Sequence, residues 1–272
     1  MTTFPLSKQN GPEIADHFVL GMAEMGYRGL SEQWLKRRAG DMHWRLIANA
    51  MGQKDALFTC SNGEPLYAAF CTTSLQLSRP ELPRLGAHLT LTANLYRVGH
   101  GRLASFVRIA SDGDVIGGMV LVSTFVGRSE PEINRSVVRR SPRALAIPPD
   151  ATPRVRRIAE CAATIARDIR HQSLDFAGTW EEQKILPCPA TDFNAVGLLY
   201  FPSYSALADR VLFQAGKTDS RMISARHVIY FGNVEPGEWT RVAFRHVPKG
   251  YDVVLRGEDD RLLALMRVSF RV

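Results

Sequence analysis

The chain has 272 residues, of which 45% are hydrophobic and 22% charged, which is the composition of a globular protein with one large or two small domains. Its formal net charge of +7 indicates acidic partners, but the basic residues are dispersed and no nucleic-acid motif accompanies them, which argues against nucleic acid. No apolar run reaches the roughly 18 residues of a membrane helix. The first 13 residues contain no apolar signal-peptide segment and the four cysteines form no CxxC pair, so a reducing cytoplasm is expected.

The first half of the sequence predicts a strand, a loop, a helix and then four antiparallel strands. The helix is expected over Leu30–Met51, with Trp34 and Leu35 on one face and an interruption at Gly40 and Asp41. Turn-forming residues separate the later strands, as is typical of hairpins. The predicted strands are Glu13–Gly21, Leu66–Leu77, His88–Val98, Arg102–Ala110 and Val115–Val126.

A segment rich in arginine and proline, Glu130–Arg157, interrupts this pattern and predicts a connector that crosses the surface. A short helix is expected at Ile158–Ile169. The connector therefore divides the chain into two halves.

The second half repeats the order of the first. After a strand at Gly178–Leu186 and a polar loop, Pro202 suits the first turn of a helix. Apolar residues then recur at helical spacing and predict one buried face: Tyr204, Leu207, Ala208, Val211 and Leu212. Four strands follow: Arg221–Phe231, Trp239–His246, Tyr251–Gly257 and Leu262–Val272.

This repeated order predicts an α+β fold in which two antiparallel sheets each wrap around a central helix. That arrangement is a double hotdog, with hotdog units at residues 1–130 and 158–272 and the connector at residues 131–157. The central helices are expected to contain Trp34 and Tyr204.

Two segments carry a family resemblance. The pattern D-x-N-x-x-G-x-x-Y-F-x-x-Y, which begins at Asp192, resembles the loop and central helix of hotdog acyl-thioester enzymes. Its full wording, DFNAVGLLYFPSY, is similar to the second half of the bifunctional acyltransferase/decarboxylase family of polyketide biosynthesis, typified by the leinamycin-pathway enzyme. In the first half, GMAEMGYRGLSEQWLKRRAGDMHW resembles the N-terminal hotdog unit of that family, and PLYAAF at residues 65–70 aligns with its Tyr-x-Ala-Phe segment.

The resemblance implies that Tyr67 is catalytic, and two roles are open for it. A phenol with a pKa near 10 is neutral at pH 7, so action as a nucleophile needs a depression of roughly three units, or about 4 kcal/mol. Donation of a hydrogen bond to a thioester oxygen needs no such shift. Hydrogen-bond donation therefore ranks at least equal to the acylated tyrosine discussed for the family.

The loop motif supplies the other candidate residues. Asp192 matches the acidic residue that serves many hotdog thioesterases as base or nucleophile, while Asn194 is expected to donate to an enolate or a carboxylate. Both side chains equally suit Asx turns that shape the loop. The resemblance places Gly197, Leu198 and Tyr200 at the substrate, where the glycine allows a thioester to approach the helix. The helix N-terminus near Gly197 to Phe201 is expected to present free N–H groups to a developing oxyanion.

These residues imply an enzyme that decarboxylates a malonyl-type acyl-coenzyme A and passes the acyl group to an acyl carrier protein. The alternative is a hotdog thioesterase or dehydratase in which Asp192 is the base, and a carrier-protein docking module without activity is a third. No metal and no cofactor beyond the coenzyme A or phosphopantetheine thioester is expected. Arginines of the connector, including Arg139, Arg140 and Arg143, suit phosphates or an acidic carrier protein. The protein is expected to be a monomer or a homodimer.

Overall fold

The computed structural model describes residues 13–99, 101–143, 148–171, 179–217 and 222–271. Gly178, Arg221 and Val272, at which three predicted strands begin or end, lie outside these ranges. The first half comprises β1 (Glu13–Val19), β2 (Met25–Gly26), β3 (Gly29–Leu30), α1 (Glu32–Ala50), β4 (Phe58–Thr59), β5 (Pro65–Leu77), β6 (His88–Arg97), β7 (Arg102–Ser111) and β8 (Asp114–Arg128).

The connector and the second half contain the remaining elements. A 3-10 turn (Asn134–Ser136), β9 (Val137–Arg139) and α2 (Pro153–His171) form the connector. The second half comprises β10 (Glu181–Ile185), α3 (Pro189–Asp192), α4 (Phe201–Gln214), β11 (Ile223–Tyr230), β12 (Thr240–Val247), β13 (Gly250–Gly257) and β14 (Leu262–Phe270).

The strand order confirms the internal repeat. The main sheet runs β1-β6-β7-β8-β5-β11-β14-β13-β12-β10, and β4 and β9 pair with β5 and β8 outside this path. Among the strands of this path, the one that precedes the helix lies at the outer end of the sheet in each half, and the first one after the helix lies at the centre. The other three follow one another in antiparallel pairs.

The two predicted sheets are joined into one. β5 and β11 pair antiparallel from Gln76 opposite Ala225 to Thr72 opposite Ile229. Both strands would otherwise expose a row of unpaired backbone groups, so their pairing satisfies those groups. The junction also brings residues from opposite halves of the sequence side by side.

Each half has its own core between its helix and its strands. In the first half, Leu35, Met42 and Leu46 of α1 belong to a buried cluster with side chains of β5 to β8. In the second half, the predicted apolar face of α4 is buried in a cluster with side chains of β11 to β14. The double hotdog fold predicted from the sequence is thus confirmed. Within the described ranges, no helix combines the length and the apolar character that crossing a membrane requires.

The predicted interruption at Gly40 and Asp41 is wrong, since α1 continues through both residues. A Cβ atom at Gly40 would lie 2.8 Å from the ring of Phe201, the first residue of α4. The glycine is therefore needed where the two helices approach each other closely and does not end a helix.

The connector is more ordered than its composition predicts. α2 begins at Pro153, five residues before the predicted helix, because proline suits the first helical turn. Val155 and Ala159 of α2 are buried against Ala104 and Val122 on the outer face of the first-half sheet. The connector also places Asn134, which is 2% exposed, in the interior between the halves.

The two helices occupy equivalent places in the two halves, each after the outer strand and before the central strand of the main sheet. Lys36 of α1 donates a hydrogen bond to Ser205 of α4, and these residues are 169 positions apart. The same separation relates the first residues of the helices, Glu32 and Phe201, and also relates Gly40 to Asp209. Equivalent positions of the two halves can therefore be compared directly.

Candidate functional site

A cavity of 580 Å³ lies where the two halves meet. Its walls come from the middle of α1, the start of β5, the segment before and within β9, the loop before α4 and the end of β11. Four of the six predicted site residues line it: Tyr67, Asn194, Leu198 and Tyr200. Residues more than a hundred positions apart are thus brought to one site.

Tyr67 lies on the open face of β5. Its neighbours Leu66 and Ala68 are 3% and 5% exposed and point into the first-half core, whereas Tyr67 is half-buried and lines the cavity. This alternation follows the period of two in a strand. No described residue forms a hydrogen bond with the Tyr67 hydroxyl, so it is available to donate to a ligand.

Asn194 combines both roles considered for it. Its Oδ1 accepts hydrogen bonds from the N–H groups of Val196 at 3.1 Å and Leu198 at 3.0 Å, which is an Asx turn. Its Nδ2 has no acceptor among the described residues. The oxygen therefore shapes the loop, while the amide nitrogen remains a donor beside the cavity.

The backbone of this loop is not the source of donors that the sequence suggests. The N–H groups of Gly197 and Tyr200 donate to Asn194 and Asp192 carbonyls at 2.9 and 2.8 Å. The N–H of Leu198 is held by Asn194, and the N–H of Leu199 donates to Asn233 Oδ1 at 2.8 Å. The expectation that Gly197 to Phe201 offer free N–H groups is therefore wrong from Gly197 to Tyr200, because the loop uses them to hold its own shape.

Asp192 is buried behind the loop, at 4% exposure, and does not line the cavity. One carboxylate oxygen pairs with Arg210 at 2.7 Å, and the other accepts the N–H of Cys188 at 2.8 Å. Its carbonyl also accepts the N–H of Tyr200. In this arrangement Asp192 fixes the start of α4 and its carboxylate is already occupied.

Gly197 also lies outside the cavity lining and has a positive φ of 75°. This conformation is strained for other residues, so glycine is required by the turn. The Gly197 carbonyl accepts a hydrogen bond from Asn134 Nδ2 at 2.7 Å. Its position supports the backbone role, behind the residues that line the cavity.

Three residues that no sequence motif singled out hold the loop in place. Asn134 bridges the carbonyls of Gly197 and Val234 at 2.7 and 2.8 Å. Arg128 donates to Asn134 Oδ1 at 2.7 Å and to the Val196 carbonyl at 2.6 Å. The third is Asn233, which receives the Leu199 N–H. Isolated asparagines in loops carry no recognisable pattern, so only the fold reveals this support.

Aromatic residues form the apolar side of the cavity. Tyr200 stacks on Trp44 with ring centroids 6.2 Å apart, and Phe201 contacts Phe70 at 4.4 Å. Burial raises the pKa of the Tyr200 phenol above its ordinary value, so the group stays protonated near neutral pH. The wall is thus an uncharged aromatic surface, which suits an apolar ligand group.

Three arginines bring positive charge to the cavity. Arg135 and Arg261 are paired with Glu238 at 3.1 and 3.2 Å. Arg139 is exposed and has no acidic partner among the described residues. In the register of the sheet, Val126 lies opposite Tyr67 on one side and opposite Arg139 on the other. Two strand spacings of about 5 Å each therefore separate Arg139 from Tyr67.

The whole fold resembles solved thioesterase structures. An acyl-ACP thioesterase from Bacteroides thetaiotaomicron has a TM-score of 0.65 at 11% sequence identity, over 95% of this chain and 98% of that chain. A 12:0-ACP thioesterase from Umbellularia californica has a TM-score of 0.66 at 13% identity, over 95% of this chain and 97% of that chain. At such identities the likeness establishes the hotdog fold alone.

No protein-family model matches this sequence, and no curated protein matches it. The likeness to the acyltransferase/decarboxylase family therefore stays a resemblance carried by its motifs.

Proposed function

We propose that the protein is an enzyme acting on acyl thioesters, and that it decarboxylates a malonyl-type acyl-coenzyme A and passes the acyl group to an acyl carrier protein. The fold supports the thioester class, since two proteins that share it are acyl-ACP thioesterases. The site supports the reaction. One observation carries it: the titratable side chains that line the cavity are tyrosines, arginines and Cys71, all of which can donate hydrogen bonds.

Such a lining matches the charge that decarboxylation creates. The bond between the substrate's carboxylate carbon and its α-carbon breaks, carbon dioxide leaves, and the electron pair moves into a thioester enolate. Hydrogen-bond donors aimed at the enolate oxygen stabilise it, and the Tyr67 hydroxyl and Asn194 Nδ2 are two donors of the lining that have no acceptor among the described residues. A proton from solvent then restores the α-carbon.

Acyl transfer needs only an exchange of thiols. The carrier thiolate attacks the thioester carbonyl, the negative charge passes to the carbonyl oxygen, and coenzyme A leaves as thiolate. The same two donors serve this oxyanion because the carbonyl occupies the same place in both steps. In this proposal Tyr67 donates a hydrogen bond and is not acylated.

The test is Tyr67→Phe, which removes one hydroxyl and keeps the ring. We expect kcat for decarboxylation of malonyl- or methylmalonyl-coenzyme A to fall by about 10²–10³, as for other oxyanion donors. Tyr27→Phe is the matched control, because Tyr27 is 100% exposed and should leave kcat unchanged. Wild-type turnover by Tyr67→Phe would remove Tyr67 from the mechanism, and an acylated wild-type tyrosine detected by mass spectrometry would assign it the covalent role.

A second candidate is hydrolysis or dehydration, which the thioesterase neighbours and the presence of Asp192 favour. Asp192 would then have to leave Arg210 and reach the cavity to act as base. Asp192→Asn keeps an acceptor for the Cys188 N–H and removes the charge. Our proposal predicts a change in kcat of less than about fivefold, whereas a general base would cost about 10²–10⁴. Release of an intact free diacid by the wild type would establish the second candidate.

The exposed arginines beside the cavity are proposed to attract the acidic carrier or the phosphates of coenzyme A. The triple variant Arg139→Glu, Arg140→Glu, Arg143→Glu should raise KM by about tenfold with little effect on kcat, and added salt should weaken wild-type binding. The same reversal at Arg84, Arg108 and Arg167, which are exposed and do not line the cavity, is the control. Equal KM values for the two triple variants would assign the arginines beside the cavity to solvent.

A further inference from the structure

A second cavity, of 330 Å³, lies on the other side of the junction between β5 and β11. It adjoins the first turn of α1 and the later part of α4, whereas the first cavity adjoins the start of α4 and the middle of α1. The two cavities thus adjoin different parts of the same two helices. Their linings differ, so they do not bind the same ligand.

The floor of the second cavity is apolar. Leu35, Leu75 and Leu212 are between 1% and 5% exposed and line it from α1, β5 and α4. Met222 and Phe270 add apolar surface from the sheet. A small hydrocarbon group fits these walls, and the volume lies at the lower end of ordinary ligand sites.

Two polar groups of this cavity lack partners in the part of the chain that the structure describes. Arg28 is half-buried and has no acidic partner there. Gln33 Nε2 is buried and has no hydrogen-bond acceptor among the same residues, which is costly for an amide donor. Lys217, the other cation of the lining, is paired with Glu181 at 2.9 Å.

The acidic groups of the lining are compensated. Glu32 pairs with Lys36 at 2.7 Å and with Arg226 at 2.9 Å, and Arg226 also pairs with Asp209 at 2.9 Å. Two cations thus balance two carboxylates beside the cavity. The charge left for a ligand is that of Arg28.

We propose that this cavity binds an amphiphilic carboxylate, with its hydrocarbon tail among the leucines of the floor and its carboxylate on Arg28 and Gln33 Nε2. An acyl thioester is not the ligand assigned here, and no reaction occurs. The inference stands on the second cavity alone and does not depend on the function proposed for the first. It gives the protein a site that could sense or store a medium-chain acid.

The probe is octanoate, titrated into the full chain by calorimetry, with octan-1-ol as the uncharged comparison. We expect one octanoate per chain, and octan-1-ol should bind at least tenfold more weakly because it cannot use the charge of Arg28. Arg28→Gln and Gln33→Leu should each weaken octanoate binding, by about tenfold and severalfold. Met222→Trp should block the cavity, while Arg37→Gln, on the exposed face of α1, should change nothing.

Ala69→Trp separates the two cavities, because Ala69 lines only the first. Octanoate binding that survives Ala69→Trp and is lost in Met222→Trp supports the proposal. Binding that is lost in Ala69→Trp, that ignores Arg28→Gln and Gln33→Leu, or that is not detected at millimolar octanoate would overturn it.

Discussion

The starts of the two central helices occupy equivalent places in the fold, but one is surrounded by aromatic rings and the other by ion pairs. α4 begins with Phe201, packed among aromatic rings and reached through a loop of neutral hydrogen bonds around Asn194. α1 begins with Glu32, which is tied to Lys36 and Arg226 by ion pairs and is reached through the hairpin of β2 and β3. The aromatic start opens onto the larger cavity.

This difference gives the polar groups at the two helix starts different roles. Ion pairs fill one helix start with charge that must be balanced inside the protein, which favours a fixed structure. At the other start, loop hydrogen bonds satisfy the backbone and leave Tyr67 and Asn194 Nδ2 free. The buried charges at the start of α1 are therefore used within the protein, whereas the start of α4 leaves hydrogen-bond donors free beside the larger cavity.

Among the substitutions that test this comparison, we expect the largest effect at Arg226, whose side chain is fully buried. Arg226→Met removes the cation shared by Glu32 and Asp209 and leaves buried negative charge uncompensated. We expect a loss of about 3–5 kcal/mol in the free energy of unfolding, measured by urea denaturation.

The matched control is Arg267→Met. Arg267 pairs with Asp252 on the surface and its side chain is 60% exposed, so its loss should cost less than about 1 kcal/mol. Equal losses for the two variants would contradict the view that the start of α1 is stabilised by its charges.

At the start of α4, the two roles of Asn194 separate by substitution. Asn194→Asp keeps an oxygen for the N–H groups of Val196 and Leu198 but loses the Nδ2 donor. We expect the melting temperature to stay near that of the wild type while kcat falls by about 10²–10³. Asn194→Ala should lower both, because the turn also loses about 1 kcal/mol. A fully active Asn194→Asp would limit Asn194 to the turn.

The sequence predicted those parts of the molecule that local pattern encodes. The face of α4, the strand alternation around Tyr67 and the double hotdog all follow from periodicity and repeat. The interior position of Asn134 and the burial of Arg226 were not predictable, because each depends on contacts between the halves. The carboxylate of Asp192 matches a motif, yet its pairing with Arg210 depends on how α4 is placed.

The cores of the two halves differ at a further pair of equivalent positions. His43 in α1 is fully buried, and its ring nitrogens Nδ1 and Nε2 lie 2.8 and 2.7 Å from the hydroxyls of Ser105 and Ser123. Its counterpart in α4 is Leu212, which lies 169 residues later, the separation of Lys36 and Ser205. Burial lowers the pKa of His43 from 6.5 to about 3. The unfolded chain takes up this proton near pH 6.5 and the folded chain only near pH 3, so acid favours unfolding.

We therefore expect stability to fall by about 1.4 kcal/mol per pH unit between roughly pH 6 and pH 4 from His43 alone. The measurement compares the urea midpoints of the wild type and His43→Leu at each pH, because the carboxylates titrate equally in the two proteins. His17→Leu, at an exposed position, should keep the wild-type slope. At pH 4, hydrogen exchange should detect opening of the first hotdog unit before the second. Parallel pH slopes of stability for the wild type and His43→Leu would refute the role of His43.

The smallest expected effect concerns the contact between α1 and the aromatic start of α4. Gly40→Ala gains about 1 kcal/mol of helix propensity but places a Cβ atom 2.8 Å from the Phe201 ring. That ring is held by Phe70, so overpacking should cost about 1–3 kcal/mol and leave the variant about 1 kcal/mol less stable. In a Phe201→Leu background the clash is relieved, and Gly40→Ala should become stabilising. A double-mutant cycle measures the coupling between the two positions, and a value near zero would mean that the Phe201 ring yields freely and that the aromatic wall of the larger cavity is not rigid.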